Sequence, residues 1–549
     1  MAERIVSPGV FTREKDLSFL PQGIGEIGAA LIGQSIKGPA FVPTKVESFN
    51  EYQQKFGGLS EDSYLPYTAQ AYLQDAGTAT IVRVLGASGY TAKPIALMVS
   101  SSAGNLVAAV LHGSTTYGNV NDLDDSIVTG VSASAFLLTL SGSDAANTSS
   151  INTSTSASLN PSDANYLTKI YGYAPKSSKD VYTQFNFSTF QSASFATGEV
   201  ATTSVVKVDV DYGSAYSEAS TPWIKSQKVG GTATNLFKLH TLSHGNPTNY
   251  EFKVGISNIK PASEVPGSEY GTFSVSIRRV DTGKIPNSIF GQNVQDSDTR
   301  PNIVEEFQGV NLDPNSPNYI KRIIGDKFIT VDANGKLTSN GDYPNASAHI
   351  RVSVNSDVEA GSLDSSLVPF GFGAVTSPLH KTYNLPSPTY NVSQSVGGEY
   401  NKRTFLGYSY DFTSTDNLNF LSPLPDANTE TVGSDFDLAT CKTGNVGSET
   451  FITLTSVVDA KKFMVPFQGG FDGWEPNRVV NNGSAIVAGN SQGLDMSSVT
   501  SAGTVAMRKA INSVSNPDEF DINMIVLPGV INRLHSSVST FAKDMCEDR

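Results

Sequence analysis

The N-terminal stretch MAERIVSPGVFTREKDLSFLPQGIGEIGAALIGQSIKGP, residues 1–39, is the most informative part of this chain. It opens with an apolar, β-prone segment around a Ser-Pro-Gly turn, followed by a mixed-charge run. These residues are Ile5, Val6, Ser7, Pro8, Gly9, Val10 and Phe11, then Arg13, Glu14, Lys15 and Asp16. No helix-start signal follows, and no second apolar run lies close enough to form a hairpin. Because such termini are disordered or join a sheet, often that of a neighbouring subunit, we expect residues 1–20 to form an inter-subunit arm.

Two helices and a strand are predicted after this arm. Ser48 and Glu51 form a capping box for a helix that ends at Gly57–Gly58. Apolar residues at helical spacing over residues 65–76 predict a second helix, and Gly77 follows it. The run Thr80–Leu85 is almost wholly apolar, which indicates a short buried strand.

The C-terminal region returns to the same pattern. Alanines spaced by four predict a helix over residues 498–513, and the apolar run Ile522–Leu527 predicts a strand covered on both faces. Pro528 and Gly529 then turn the chain, and helical spacing resumes over residues 534–545. Since the helix and strand pattern occurs at both ends of the chain, we expect both ends to build one sheet.

Between these ends, hydrophobicity alternates with period two, which is typical of β-sandwich or barrel modules. A Ser/Thr/Asn tract over residues 141–163 predicts a mobile loop. The predicted fold class is therefore α+β multidomain, with an α/β core domain built from both ends of the chain and inserted, protruding all-β domains. The predicted parts are the arm at 1–20, the core at 21–86 and 346–549, an inserted β domain at 87–99 and 196–345, and an outer inserted β domain at 100–195.

Composition excludes several classes of function. The 549 residues carry a net charge of −14, which argues against non-specific binding to nucleic acid or to anionic membranes. No apolar run approaches the length of a membrane span. Cys441 and Cys546 have no metal-binding or redox spacing, so both are interpreted as reduced thiols made in a cytosol.

Candidate chemical motifs are weak. The sequence Gly23-Ile-Gly-Glu-Ile-Gly28 fits a dinucleotide fingerprint, but that motif needs a strand before it and a helix after it, and the glycines that follow disfavour a helix. His240 and His244 are spaced for half of a helical metal site, yet their context indicates a strand running into a turn. The acidic residues at 121–125 lack the glycine and closing glutamate of a calcium loop. We therefore expect no cofactor, no metal and no catalytic residues.

Separate blocks of sequence carry a family resemblance. They are SPGVFTREKDLS, GAALIGQSIKGPAFVPTKVESFNEYQQKFGG and AYLQDAGTATIVRVLG near the start, and VPFQGGFDGWEP at 465–476 and INMIVLPGVIN at 522–532 near the end. In order and spacing they closely resemble contractile-tail sheath proteins of T-even-like myophages. The resemblance gives the turn residues of the late blocks a structural role: Gly469, Gly470, Asp472, Gly473, Pro528 and Gly529. An aspartate beside glycines typically caps a turn.

The resemblance implies a structural subunit of the virion tail, synthesised in the bacterial host cytoplasm, and no enzyme. Its implied partners are other sheath subunits in six-membered rings and a helical stack, the inner tail tube, the baseplate and the tail terminator. Contraction would drive the tube through the host envelope. Sheath relatives continue beyond the position of Arg549 with a strand and a C-terminal arm, so this chain is expected to be a monomer in solution.

Two other functional classes remain open from the residues. A β-rich carbohydrate-binding adhesin or tail spike would explain the middle of the chain but not the terminal blocks. A nucleotide-dependent enzyme would depend on the glycines at 23–28 alone.

Overall fold

The computed structural model describes residues 28–88, 215–280, 302–373, 461–474 and 485–549, with shorter segments between 90 and 212 and between 393 and 453. The arm expected at residues 1–20 lies outside the described residues. The fold is mixed and rich in strands, which form several small sheets. Among the described strands no sheet closes into a barrel, so the barrel alternative for the β modules is wrong.

One sheet joins residues from the two ends of the chain, and we call it the terminal sheet. Its strands, in spatial order, are Thr44–Val46, Ala79–Arg83, Ala29–Gly33 and Met524–Val526. Strand Ala29–Gly33 runs parallel to both neighbours, with Ala29 opposite Ala79 on one side and Met524 on the other. Both ends of the chain therefore contribute to one sheet, as their helix and strand patterns predict.

Helices cover both faces of the terminal sheet. Phe49–Phe56 and Leu65–Asp75 share a core with Ala29 and Leu31 on one face. Ala502–Asn512 and Ser536–Asp548 share a core with Ala30 and Ile32 on the other. A strand buried on both faces has no solvated side, which explains the unbroken apolar reading of residues 29–32.

The start of the first helix follows the predicted cap with one difference. The hydroxyl of Ser48 accepts the backbone N–H of Glu51 at 3.2 Å. The Glu51 carboxylate accepts the N–H of Glu47 at 2.8 Å, one residue before the position of a regular capping box. At the other end of this helix Gly57 has φ of +90°, a conformation that glycine adopts without strain.

Strand Met524–Val526 lies at the end of the described strand order. Ile525 packs against the core on one face of the sheet and Val526 against the core on the other, as predicted for a strand covered on both faces. Its position at the edge leaves all three residues partly exposed, and Met524 is 41% exposed.

A second body of structure, here called the central sandwich, packs two sheets around one core. The first sheet contains Glu218–Ser220, Ile224–Ser226, Asn235–His244, Ile350–Val354, Pro369–Phe372 and Phe436–Asp437. The second contains Phe252–Lys260, Thr272–Arg279, Asn302–Val310, Leu406–Gly407 and Phe463–Pro466. Short helices at Thr248–Glu251, Ile320–Ile324 and Ser356–Glu359 and a hairpin of Phe328–Val331 with Leu337–Asn340 complete it.

This sandwich corrects the predicted extent of the α/β core. The prediction assigned all of 346–549 to that core, but strands 350–354, 369–372 and 463–466 pair within the central sandwich. The sheath-like block at 465–476 therefore begins in a β strand of the sandwich. The strand segment of this block is short and apolar, so the local sequence does not show whether it belongs to the α/β core or to the central sandwich.

A third body, the outer sandwich, has its own core. One sheet contains Ile95–Ser101, Gly104–Gly113, Val181–Asn186 and Val205–Lys207, and the other contains Ile127–Ser132, Ala135–Ser143 and Ser150–Ala157, with helix Leu167–Tyr171 beside them. Tyr90–Ala92 pairs with Val210–Tyr212 as a two-stranded stem. Three further short strands, Ser393–Gln394, Lys442–Thr443 and Ile452–Thr453, form a separate small sheet.

The outer sandwich corrects two predictions. Its strands extend from 95 to 207, beyond the predicted bounds of 100–195, because 95–101 and 205–207 pair with each other and not with the central sandwich. The predicted mobile loop at 141–163 contains strand Ser150–Ala157, which is paired along its length with residues 136–143. Ile151 and Ala157 face the core while the residues between them are largely solvated, so its polar composition concealed a strand.

Candidate functional site

The buried guanidinium of Arg83 joins the terminal sheet to the central sandwich. Arg83 Nη1 donates to the carbonyl oxygens of Gly38 and His244, both at 2.7 Å. Its Nε and Nη2 donate to the carbonyl oxygens of Ser35 and Ile36, both at 3.1 Å. One side chain thus satisfies four backbone acceptors from two parts of the chain. We call this region the Arg83 junction.

Asp472, a predicted turn residue, lies in the same junction. Its Oδ1 accepts the N–H of Asn246 at 3.0 Å, and its own N–H donates to Asn246 Oδ1 at 3.2 Å. Its carbonyl oxygen accepts the N–H of Gly86 at 2.8 Å, and Gly86 O accepts the N–H of Tyr216 at 3.0 Å. The turn that contains Asp472 therefore bonds to the end of strand Ala79–Arg83 and to the central sandwich together.

The glycines of this turn allow close backbone approach. Gly470 exchanges two 2.8 Å hydrogen bonds with the side-chain amide of Asn249. Gly469 and Gly473 have φ of +86° and +74°, and a Cβ on Gly86 would overlap the carbonyl group of Gly473. Gly86 and Gly473 admit no Cβ where they meet, because a side chain there would separate the turn from the end of strand Ala79–Arg83.

The electrostatics of the junction follow from burial. Burial lowers the pKa of Arg83 to about 10, and the negative charge of Asp472 opposes that shift. Burial also lowers the pKa of His244 to about 4, with Glu218 opposing the shift and Arg83 adding to it. His244 Nδ1 accepts the N–H of Ala40 at 3.2 Å, which requires a neutral ring. At neutral pH the junction thus holds a charged arginine beside a neutral histidine.

A second contact joins the same two bodies. The hairpin of Phe328–Val331 and Leu337–Asn340 extends from the central sandwich to helix Ala502–Asn512, where Lys509 Nζ donates to Val331 O at 3.2 Å. Gly335 in the hairpin turn has φ of +87°, and a Cβ there would overlap the backbone carbonyl oxygen of Lys509. Together with the Arg83 junction, this contact connects the terminal sheet and the central sandwich at two separated points.

The other predicted turn, Pro528 and Gly529, is held by Gln492. Its Nε2 donates to Pro528 O at 3.0 Å, its Oε1 accepts the N–H of Tyr64 at 2.7 Å, and its carbonyl oxygen accepts Gln34 Nε2 at 2.9 Å. Gln492 has φ of +55°, which is uncommon for a residue with a side chain. Gly529 has φ of +86°, and a Cβ there would overlap the Gln492 amide. This contact fixes the position of the chain directly after strand Met524–Val526.

The weak chemical motifs form no reactive site in the described part of the chain. Strand Ala29–Gly33 follows Gly28 where the dinucleotide fingerprint requires a helix, and a Cβ on Gly28 would overlap the backbone of Asp521. His240 and His244 lie on strand Asn235–His244, and His240 Nε2 is 2.8 Å from Ser353 Oγ.

The acidic residues of the stretch 121–125 lie outside the described residues, and only Leu123, a core residue, is described there. Among the residues described, no three His, Cys, Asp or Glu side chains are placed to hold a metal ion. None of the described helices is long and apolar enough to cross a membrane.

Sequence reasoning missed Arg83, Asn246, Asn249 and Gln492 as site residues, and it singled out His244 only as half of a metal site. Arg83 left one signal, since it is a charged residue in the apolar run TATIVRVLG, and a buried cation needs partners. The other four are polar residues in polar surroundings, and only the folded chain brings them to the turns.

A scan against protein-family models finds no match for this chain, and a search of curated proteins finds none either. Functional assignment therefore depends on the sequence blocks, the arrangement of the sheets and the junction between them.

Proposed function

We propose that this chain is a structural subunit of a contractile phage tail sheath, which polymerises around an inner tube and contracts to drive it through a host envelope. One observation carries the proposal. Three of the sheath-like blocks supply the adjacent parallel strands 79–83, 29–33 and 524–526, and a fourth supplies the turn that bonds to Gly86. Segments from opposite ends of the chain that resemble one family thus meet in one body of structure.

The open side of the terminal sheet supports assembly. Among the described residues, strand Met524–Val526 has a neighbour on one side only, and its outer edge offers backbone groups to an added strand. The arm at residues 5–16 of another copy is the proposed occupant, by β-strand addition. An interface of this kind joins different surfaces of two copies, so it repeats into an open helix instead of closing as a dimer.

The two contacts between the terminal sheet and the central sandwich support movement as a rigid body. Arg83 and the hairpin at 328–340 resist rotation of one body against the other. Rotation between neighbouring subunits would then be absorbed by extended arms, as in hinge motions where a few residues change conformation. We propose that the energy that drives contraction is stored in the extended lattice of subunits.

The proposed architecture is multidomain: an α/β core from both ends of the chain, and inserted β sandwiches that protrude from it. The two-stranded stem at 90–92 and 210–212 supports the protrusion of the outer sandwich. The proposed partners are other sheath subunits, the tube, the baseplate and the tail terminator. The proposed location is the virion tail, and no enzymatic role is proposed.

Gold-labelled antibodies raised against the purified chain test this function on particles isolated from cells that make the protein. Electron microscopy is expected to show label along the whole length of straight tail cylinders. Label confined to projecting fibres or trimeric spikes would favour an adhesin and contradict the sheath assignment. Absence of label from every particle would contradict it as well.

The arm is tested in the same particles. Cells that make only a chain lacking residues 1–16 are expected to yield folded, soluble protein and particles without labelled cylinders. A matched variant that retains length but replaces residues 144–149 with Gly/Ser is expected to assemble normally. Normal cylinders from the arm-less chain would exclude the arm as the joining element.

A further inference from the structure

A cavity of about 270 Å³ that is open to solvent lies in the central sandwich. Its main lining side chains are Trp223, Lys225, Asn235, Lys238, Asp435 and Gln468. Two adjacent strands, Ile224–Ser226 and Asn235–His244, carry or flank four of them, and the N–H of Gly373 fixes Trp223 by donating to its carbonyl oxygen at 2.8 Å. Much of the cavity wall therefore consists of two paired strands, and side chains carried on strands are held in well-defined positions.

The two lysines of the cavity differ in their partners. Lys225 Nζ forms an ion pair with Asp435. Lys238 Nζ lies 5.0 Å from the centroid of the Trp223 ring, and no carboxylate of the described residues forms an ion pair with it. Burial lowers the pKa of Lys238, which agrees with an ammonium group lacking such a partner. A half-buried cation of this kind attracts an anionic ligand, even though the chain as a whole carries −14.

The remaining groups indicate the class of that anion. An indole ring offers an apolar surface, and carboxylate and amide groups beside it offer hydrogen-bond partners for hydroxyl groups. A ligand that matches all three features has an apolar ring face, several hydroxyl groups and one negative charge. The volume lies slightly below the ~300–1,000 Å³ of typical small-molecule sites, so the cavity admits one small unit.

We propose that this cavity binds a single acidic sugar unit of a surface polysaccharide, with the sugar carboxylate on Lys238, the ring against Trp223, and hydroxyl groups on Asp435 and Asn235. No covalent step is involved. The proposal is independent of the sheath assignment, because it depends only on side chains of the central sandwich.

Fluorescence titration of the full chain tests the proposal, since the chain has only two tryptophans. The probes are methyl glucuronide and methyl glucoside, which differ by one carboxylate. The glucuronide is expected to change the emission with saturation, and to bind at least about tenfold more tightly than the glucoside. Trp223→Phe is expected to abolish the change. Equal affinity for both probes, or no saturable response to the glucuronide, would overturn the proposal.

A pair of lysine variants locates the charge. Lys238→Gln is expected to weaken glucuronide binding by about tenfold or more and to leave glucoside binding unchanged. Lys45→Gln, at an exposed lysine of the terminal sheet, is the matched control and is expected to bind as the unmodified chain does. Thermal melting checks that both variants are folded. Unchanged glucuronide binding by folded Lys238→Gln would contradict the assignment of this residue.

Discussion

At the scale of single residues, the Arg83 side chain donates hydrogen bonds to four backbone carbonyl oxygens. Arg83→Met removes the donors for four carbonyl oxygens and leaves Asp472 beside an apolar chain. Leaving a buried hydrogen-bond partner unsatisfied costs about 1–3 kcal/mol, so with four acceptors affected the free energy of unfolding is expected to fall by at least about 3 kcal/mol. Urea denaturation followed by circular dichroism measures it.

Arg533→Met is the control for that prediction, because Arg533 is exposed. Its free energy of unfolding is expected to change by no more than about 0.5 kcal/mol. Equal losses in both variants would mean that the buried hydrogen bonds of Arg83 contribute little to stability.

His244 makes stability depend on pH. Its pKa is about 4 in the folded chain and near 6.5 when unfolded, so the unfolded state binds more protons below pH 6.5. The stability linked to this residue is present above pH 6.5 and is lost as the pH falls towards 4. His244→Asn keeps an acceptor for the Ala40 N–H and cannot titrate, so it is expected to reduce the fall in melting temperature between pH 6.5 and 4.5. Burial also lowers the pKa values of His112 and His349, so part of that fall is expected to persist. An unchanged fall in His244→Asn would contradict the prediction.

At the scale of elements, the turn at 469–474 and the end of strand Ala79–Arg83 approach so closely that Gly86 admits no side chain. Gly86→Ala would push a Cβ into the Gly473 carbonyl group, and overpacking of this kind costs about 1–3 kcal/mol. Gly77→Ala meets no atom within 4 Å and is expected to be neutral or to stabilise the chain by up to about 1 kcal/mol. Differential scanning calorimetry of the two variants compares them, and similar melting temperatures would refute the close approach.

Elements near the ends of the chain were predictable from sequence because their residues act locally. Helices 49–56 and 502–512 show apolar spacing, and the strands at 79–83 and 29–33 are mostly apolar because both faces are buried. The sequence did not predict strand 150–157, because Ile151 and Ala157 are its only apolar residues.

The Arg83 junction, unlike these elements, was not predictable from the sequence. Arg83 and His244 are 161 residues apart, and the atoms that accept from Arg83 are backbone carbonyls, which leave no signature in a sequence. The sequence also does not place strands 350–354 and 369–372 in the central sandwich, because they pair with strands more than a hundred residues away. Sequence patterns report the burial of a face, and they do not report which sheet buries it.

At the scale of the whole molecule, the outer sandwich has a core of its own. Replacing residues 93–209 with a short Gly/Ser linker is expected to preserve cooperative melting of the remainder, because Ala92 and Val210 are already paired across the stem. Calorimetry and circular dichroism measure the transition. Loss of cooperative melting would show that the outer sandwich is part of the folding unit of the rest.

The stem at 90–92 and 210–212 also defines a place for engineering. It brings the entry and exit of a long insertion side by side, so the rest of the chain experiences that insertion as a single attachment point. A foreign domain whose own termini lie close together can be inserted at the same stem. If many copies assemble, such a graft would be displayed at regular intervals on the particle, with a spacing set by the lattice and a cargo chosen freely.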